Sequence, residues 1–199
     1  MFLTLICDMP KELNTDEMIK KLNILTALAK EKETSKNIID RLGVVVIYSS
    51  MVEFDLVQAA RLIEQIILKK QFLDGTVGFQ PHEDSWFFDQ QVRSRKIISE
   101  IKKILPFKAV KPQDENVAKK VTELTKDFLS VAGKYLTSRN LIFHHLTNPK
   151  KNLKDIEMEI EKTVTNFHKV TEARIKFFEL AQPYRFSEKE IQYFYGNLK

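Results

Sequence analysis

Between Ile38 and Ile66 the chain repeats apolar residues at alternating steps of four and three: Ile38, Leu42, Val45, Val52, Leu56, Ala59, Ile63 and Ile66, with Ser49 in the same series. Only a helix keeps such residues on one face for so long, so the pattern predicts one long helix. Val44 to Tyr48 have strand propensity of their own, but the helical period extends on both sides of them and only Gly43 interrupts it, as a point of bending. Val44, Ile47, Met51 and Phe54 lie off that face and are apolar too. The middle of this helix is therefore expected to be buried on most sides, at the centre of a bundle.

The rest of the chain agrees with a helical reading. Five Gly and six Pro in 199 residues supply too little turn chemistry for a many-stranded β fold. Asn14 with Glu17 forms a capping-box signature before Met18, Leu22, Leu25 and Leu28, and the charge-dense stretch from Lys30 to Lys36 ends that helix, with Thr34 or Ser35 as the next cap. Leu73 to His82, with Gly75, Gly78 and Pro81, reads as a loop or at most a short hairpin. Ser85 caps a helix through Trp86, Phe87, Phe88, Val92, Ile98, Ile101 and Leu105 that Pro106 ends, its polar side carrying Arg93, Arg95, Lys96, Lys102 and Lys103. Pro112 opens another in which Val117, Val121, Leu124, Phe128, Val131 and Tyr135 form the cleanest amphipathic series. After a break at Asn148-Pro149, Asn152 and Asp155 cap a helix through Ile156, Ile160, Val164, Phe167, Val170, Ile175 and Phe178 up to Pro183. Ser187 and Glu190 form a capping box for a short terminal helix that runs through Tyr193 and Phe194 and stops at Gly196. The expected fold is all-α, an antiparallel helical bundle with long helices, in a single domain over 1–199 with short terminal appendages.

A net charge of +5 is compatible with an anionic partner without requiring one. The single Cys7 cannot form an internal disulfide and lies in an apolar N-terminal run that lacks the basic flank of a signal peptide. No apolar stretch approaches 18 residues free of charge, so no membrane span and a cytoplasmic location are expected.

Chemical density peaks at Ser138-Arg139-Asn140-Leu141-Ile142-Phe143-His144-His145, with Ser138 expected to cap a new helix. On a helix Asn140 and His144 share a face, Arg139 and His144 lie about 140° apart, and His145 points about 100° from His144. In Arg139, Asn140 and His144 the segment resembles the HEPN superfamily, whose signature is Arg, usually a polar residue, then His after four intervening positions. The resemblance implies a small helical bundle, and in many members a metal-independent endoribonuclease or defence-system toxin that builds its site across a homodimer. A subgroup carries Tyr two residues after the His, where this chain has Leu146.

Metal-free RNA cleavage needs a base for the 2′-hydroxyl, an acid for the leaving oxygen and a cation for charge on phosphorus. His144 suits either proton role, Arg139 a phosphate clamp, and Asn140 an orienting amide. One copy holds half of that inventory, and two facing copies would complete it. His145 is accessory or structural. Lys134, Lys150, Lys151 and Lys154 are candidates for approach of RNA, or ordinary surface lysines. Asp55, Arg61 and Glu64 form a solvated face or local ion pair, or else one of them props Arg139 from a neighbouring helix. His82 reads as a solvated loop histidine and His168 as a structural or surface one. The chain has no Gly-rich phosphate loop, zinc motif, Cys cluster, nucleophile elbow or Glu-x-x-His pair, so neither metal nor cofactor is expected. The readings left open are a homodimeric ribonuclease with an RNA substrate, in a toxin or phage-defence role with an antitoxin partner; a non-catalytic bundle binding a protein, nucleotide or RNA; and an unrelated scaffold.

Overall fold

Helices account for nearly all of the computed structural model, which describes residues 15–75, 94–105, 115–185, 187, 189, 190 and 193. In chain order they are α1 (Thr15–Lys32), α2 (Ile38–Leu73), α3 (Ser94–Lys103), α4 (Glu115–Thr147) and α5 (Leu153–Ala181), followed by a 3-10 turn at Gln182–Tyr184. No strand occurs among the described residues, and Val44 to Tyr48 are helical. The expected all-α class therefore holds. The cap expected at Asn14 and the starts expected at Ser85 and Pro112 lie outside the described residues, as does His82.

Local signals explain most of the boundaries. Lys32 ends α1 as expected, but α2 is capped by Asn37, whose Oδ1 accepts from the Ile39 amide at 2.9 Å. Ser35 instead receives the Asn37 amide at 3.1 Å and donates to Asp40 at 2.8 Å, so its hydroxyl shapes the turn rather than capping the helix. Asn152 and Asp155 cap α5 reciprocally, each backbone amide meeting the other's side chain at 3.1 and 3.0 Å. Ser187 and Glu190 repeat the device: the Ser187 amide meets the Glu190 carboxylate at 2.7 Å and the Glu190 amide meets the Ser187 hydroxyl at 3.2 Å.

The chain divides into two compact units, and α2, α4 and α5 each contribute a segment to both. In the unit holding 15–55 and 129–172, Val45, Ile142, Ile156 and Ile160 form a core cluster with Ile38, Leu42 and Val164 against it. Tyr48 stacks on Phe167 with ring centroids 3.6 Å apart, and Tyr135 meets the same ring edge-on at 6.3 Å. Tyr48 also donates to Glu33, and His168, a surface residue as expected, lies 3.3 Å from the other Glu33 oxygen. On α1, Leu25 and Leu28 are exposed together with Ile24, and Ala29 is buried.

In the other unit α2 supplies Leu56, Ala59, Ala60, Leu62 and Ile63, α3 supplies Ile97, Ile98 and Ile101, and α4 supplies Val121 and Phe128. Phe177 of α5 stacks on Phe128 at 5.9 Å, so Phe177 fills the core while Ile175, an expected core residue, is exposed. Asp55, in the first unit, and Glu64, here, are buried, which corrects the reading of a solvated face. Burial lowers the Arg61 pKa from its ordinary value while the charge of Glu64 opposes the shift, as a local ion pair would.

By length and composition α2 is apolar enough to cross a membrane, which departs from the expectation drawn from charge-free runs. Average hydropathy tolerates the scattered Glu53 and Asp55 that a charge-free criterion does not. In this structure Val44, Val45, Tyr48 and Val52 of that helix are buried within the protein.

Candidate functional site

Ser138 does not begin a helix. It lies inside α4, buried, and accepts from the Asn166 side-chain amide of α5 at 2.9 Å. Thr137 turns its hydroxyl back onto the Gly133 carbonyl at 3.0 Å, so neither residue competes for the helix backbone as a cap would. The buried positions Phe128, Ala132, Tyr135 and Ile142 continue the α4 series through this point. The motif therefore sits on the last turns of a 33-residue helix, whose backbone fixes the separation of Arg139 and His144.

Arg139 is already engaged. Its Nη1 lies 2.7 Å from Oε1 of Glu53 on α2, the side chains being 22% and 47% exposed. Asn140 Oδ1 receives Nε and Nη2 of the same guanidinium at 3.4 Å each, at the long end of hydrogen bonding. Glu53 thus takes the role that sequence reasoning offered to Asp55, Arg61 or Glu64. One signal was available: Glu53 is the sole acidic residue between Asp40 and Asp55. Its pairing with Arg139, 86 residues away, has no local signature.

Beneath the pair is a buried polar knot. Tyr135 donates to the Val45 carbonyl at 3.1 Å, its oxygen lies 3.0 Å from the Ser49 hydroxyl, and Ser49 donates to the same carbonyl at 2.6 Å. Burial pushes the Tyr135 phenol up to about 12; the Ser49 hydrogen bond and Arg139 pull it down, and Glu53 adds to the rise. One turn separates Tyr135 from Arg139 on α4, so the knot stiffens the segment from which the guanidinium projects.

His144 is exposed on α4 and shares the Asn140 face, but the structure does not bring it onto the Arg139 guanidinium. His145 is half-buried, and its Nδ1 is buried without a hydrogen-bond partner among the described residues. Lys134, Lys150, Lys151 and Lys154 are all exposed. Lys134 lies on α4 about four turns before the connection on which Lys150 and Lys151 lie, and Lys154 is in the first turn of α5.

Exposed apolar side chains flank the ion pair. On α2, Ile39, Gly43, Val46, Ser50 and Glu53 form one exposed stripe at steps of four and three, with Ile39 73% and Val46 57% exposed. On α4, Phe143 and Leu146 follow Arg139 at the same spacing and are 52% and 46% exposed. Sequence reasoning did not single out either stripe. No group of three or more His, Cys, Asp or Glu side chains among the described residues is placed to hold a metal ion.

Comparison with known proteins adds no relative: no family model, no curated protein and no solved structure matches this chain.

Proposed function

We propose that the chain is a HEPN-like helical bundle that works as a protein-interaction module, its motif residues serving contacts between two copies rather than cleavage of RNA. The observation that carries this reading is the 2.7 Å pair between Arg139 and Glu53. A guanidinium meant for a phosphate is best left with its donor fork open, whereas this one is neutralised by a carboxylate of its own chain. Val46, two turns before Glu53 on α2, and Phe143 and Leu146, one and two turns after Arg139 on α4, are large apolar groups exposed to solvent. A face with an apolar centre and one charge of each sign is self-complementary under a two-fold axis.

Cleavage of RNA is the second reading, favoured by the exposed His144 on the Asn140 face. In that reading the partner copy supplies the second imidazole, and Glu53 orients Arg139 until substrate phosphate displaces it. An exposed pair of this kind holds together by no more than about 1 kcal/mol, so displacement costs little. A role as toxin or antiviral effector, with an antitoxin partner, belongs to this reading.

Two measurements decide between them. Sedimentation of the purified chain over a concentration series is expected to show a dimer; a monomer throughout rejects the interaction-module reading. Incubation with structured and single-stranded RNA in chelator is expected to leave the RNA intact. Cleavage by the wild type that His144→Ala abolishes would establish the ribonuclease instead.

A further inference from the structure

Helix α3 sorts its side chains by charge around its axis. At about 100° per residue Ile97, Ile98 and Ile101 share one arc, and all three are buried. Arg95, Lys96, Ser99, Lys102 and Lys103 share an arc of about 120° on the other side, and all five are exposed. The buried isoleucines fix the rotation of the helix within its own unit, so the cationic arc is held toward water.

Glu100, the one acidic residue of α3, stands at the border of that arc, 2.7 Å from Lys103 Nζ. Among the described residues no carboxylate is paired with Arg95, Lys96 or Lys102. A longer helix mixes its charges instead: on α4 the exposed Lys119, Lys120 and Lys126 are interspersed with Glu115, Glu123 and Asp127. Mixed signs serve solubility and cancel at a distance, whereas a ridge of one sign projects a field that attracts a polyanion.

We infer that the exposed face of α3 binds the phosphate backbone of a nucleic acid duplex. Arg95 and Lys102, and likewise Lys96 and Lys103, are seven residues apart, a rise of about 10.5 Å. That length spans about three base steps of 3.4 Å along one strand, so the two rows of cations meet a run of consecutive phosphates. No aromatic residue lies in the arc to stack on the bases of a single strand. A lipid surface fits less well, because a helix lying on a membrane buries its apolar side there and this helix has already buried its isoleucines in the protein. Contacts to phosphate alone carry no base sequence, and no imidazole lies on the face, so it holds the duplex without selecting or cleaving it. This inference rests neither on contact between two copies nor on the Arg139 motif.

Anisotropy of a fluorescent DNA duplex titrated with the full chain, over a series of KCl concentrations, counts the phosphates engaged. The logarithm of the association constant is expected to fall with the logarithm of salt at a slope of about −3 to −4 in the wild type. Arg95→Gln combined with Lys102→Gln is expected to make that slope shallower by about 2 and to weaken binding at low salt by at least about tenfold, with far-UV circular dichroism unchanged. Lys150→Gln combined with Lys151→Gln removes the same charge from the connection between α4 and α5 and is expected to bind as the wild type does. A wild type that leaves the duplex free at low salt overturns the inference, as does an unchanged slope in the α3 variant. Equal losses in the two double variants would report net charge alone and overturn it too. Sedimentation of the wild type with phosphatidylserine vesicles, without binding to the duplex, would assign the face to a membrane surface instead.

Discussion

Tyr135 concentrates several physical effects on one hydroxyl. The ring is fully buried, its phenol donates to the Val45 carbonyl, and Ser49 shares the same acceptor. Tyr135→Phe removes that donor from a closed interior, and the expected cost is about 1–2 kcal/mol at neutral pH, measured by chemical denaturation. The pH dependence has a definite sign. The folded phenol keeps its proton to about 12 against an ordinary 10.0, so the contribution is full below the lower value and is lost as pH rises through the upper one. Wild-type stability should fall across that alkaline window, and the fall should be shallower in Tyr135→Phe. The Arg139 and Glu53 pair is more exposed, and a double-mutant cycle of Arg139→Met with Glu53→Gln is expected to give a coupling of about 0–1 kcal/mol. Arg139 and Asn140 were legible in the sequence because their adjacency is local. Glu53 was not, because nothing in a short window tells which distant cation a single carboxylate will meet. His145 could be placed only relative to His144 around a helix; its partial burial is a product of tertiary packing that a short window does not show.

Among the elements, α2 was legible almost whole, since its period runs on through Gly43 and no proline interrupts it. A helical glycine costs stability relative to alanine, and a Cβ built at Gly43 or Gly133 meets no atom within 4 Å. Gly43→Ala and Gly133→Ala are each expected to stabilise the folded chain by about 0.5–1 kcal/mol, read as a higher denaturation midpoint. What sequence could not distinguish is a Ser or Thr that starts a helix from one inside it. Ser138 is held by Asn166, a tertiary partner, and Thr137 by the preceding turn. The Ser187 and Glu190 cap was legible because both partners fall within one turn. Burial works against ionisation of Glu190, and the Ser187 amide and Lys69 ammonium outweigh it, leaving the carboxyl below its ordinary range. Its contribution is therefore present above pH 4.5 and lost as pH falls through the lower folded value. Glu190→Gln should remove that part of the acid sensitivity in thermal melts.

At the scale of the molecule the question is what an α2 apolar enough to cross a membrane does with the surface it leaves outside. Much of it is used internally, by Val44, Val45, Tyr48, Val52 and Leu56. Ile39 and Val46 stay exposed on the stripe that ends at Glu53, and Phe143 and Leu146 are exposed on α4. Exposed large side chains are unremarkable singly; a row of them on each of two helices is the surface that the proposed contact between copies would use. If two copies close over this face, Phe143 and Val46 are its apolar anchors, and each is expected to contribute about 1.5–3 kcal/mol to association when fully covered. Phe143→Lys combined with Val46→Lys should then weaken self-association by at least about a hundredfold in sedimentation while leaving far-UV circular dichroism unchanged, because neither side chain belongs to the core. A double variant that sediments as the wild type does would mean that the contact between copies lies elsewhere, and that the Arg139 and Glu53 pair stabilises only its own chain.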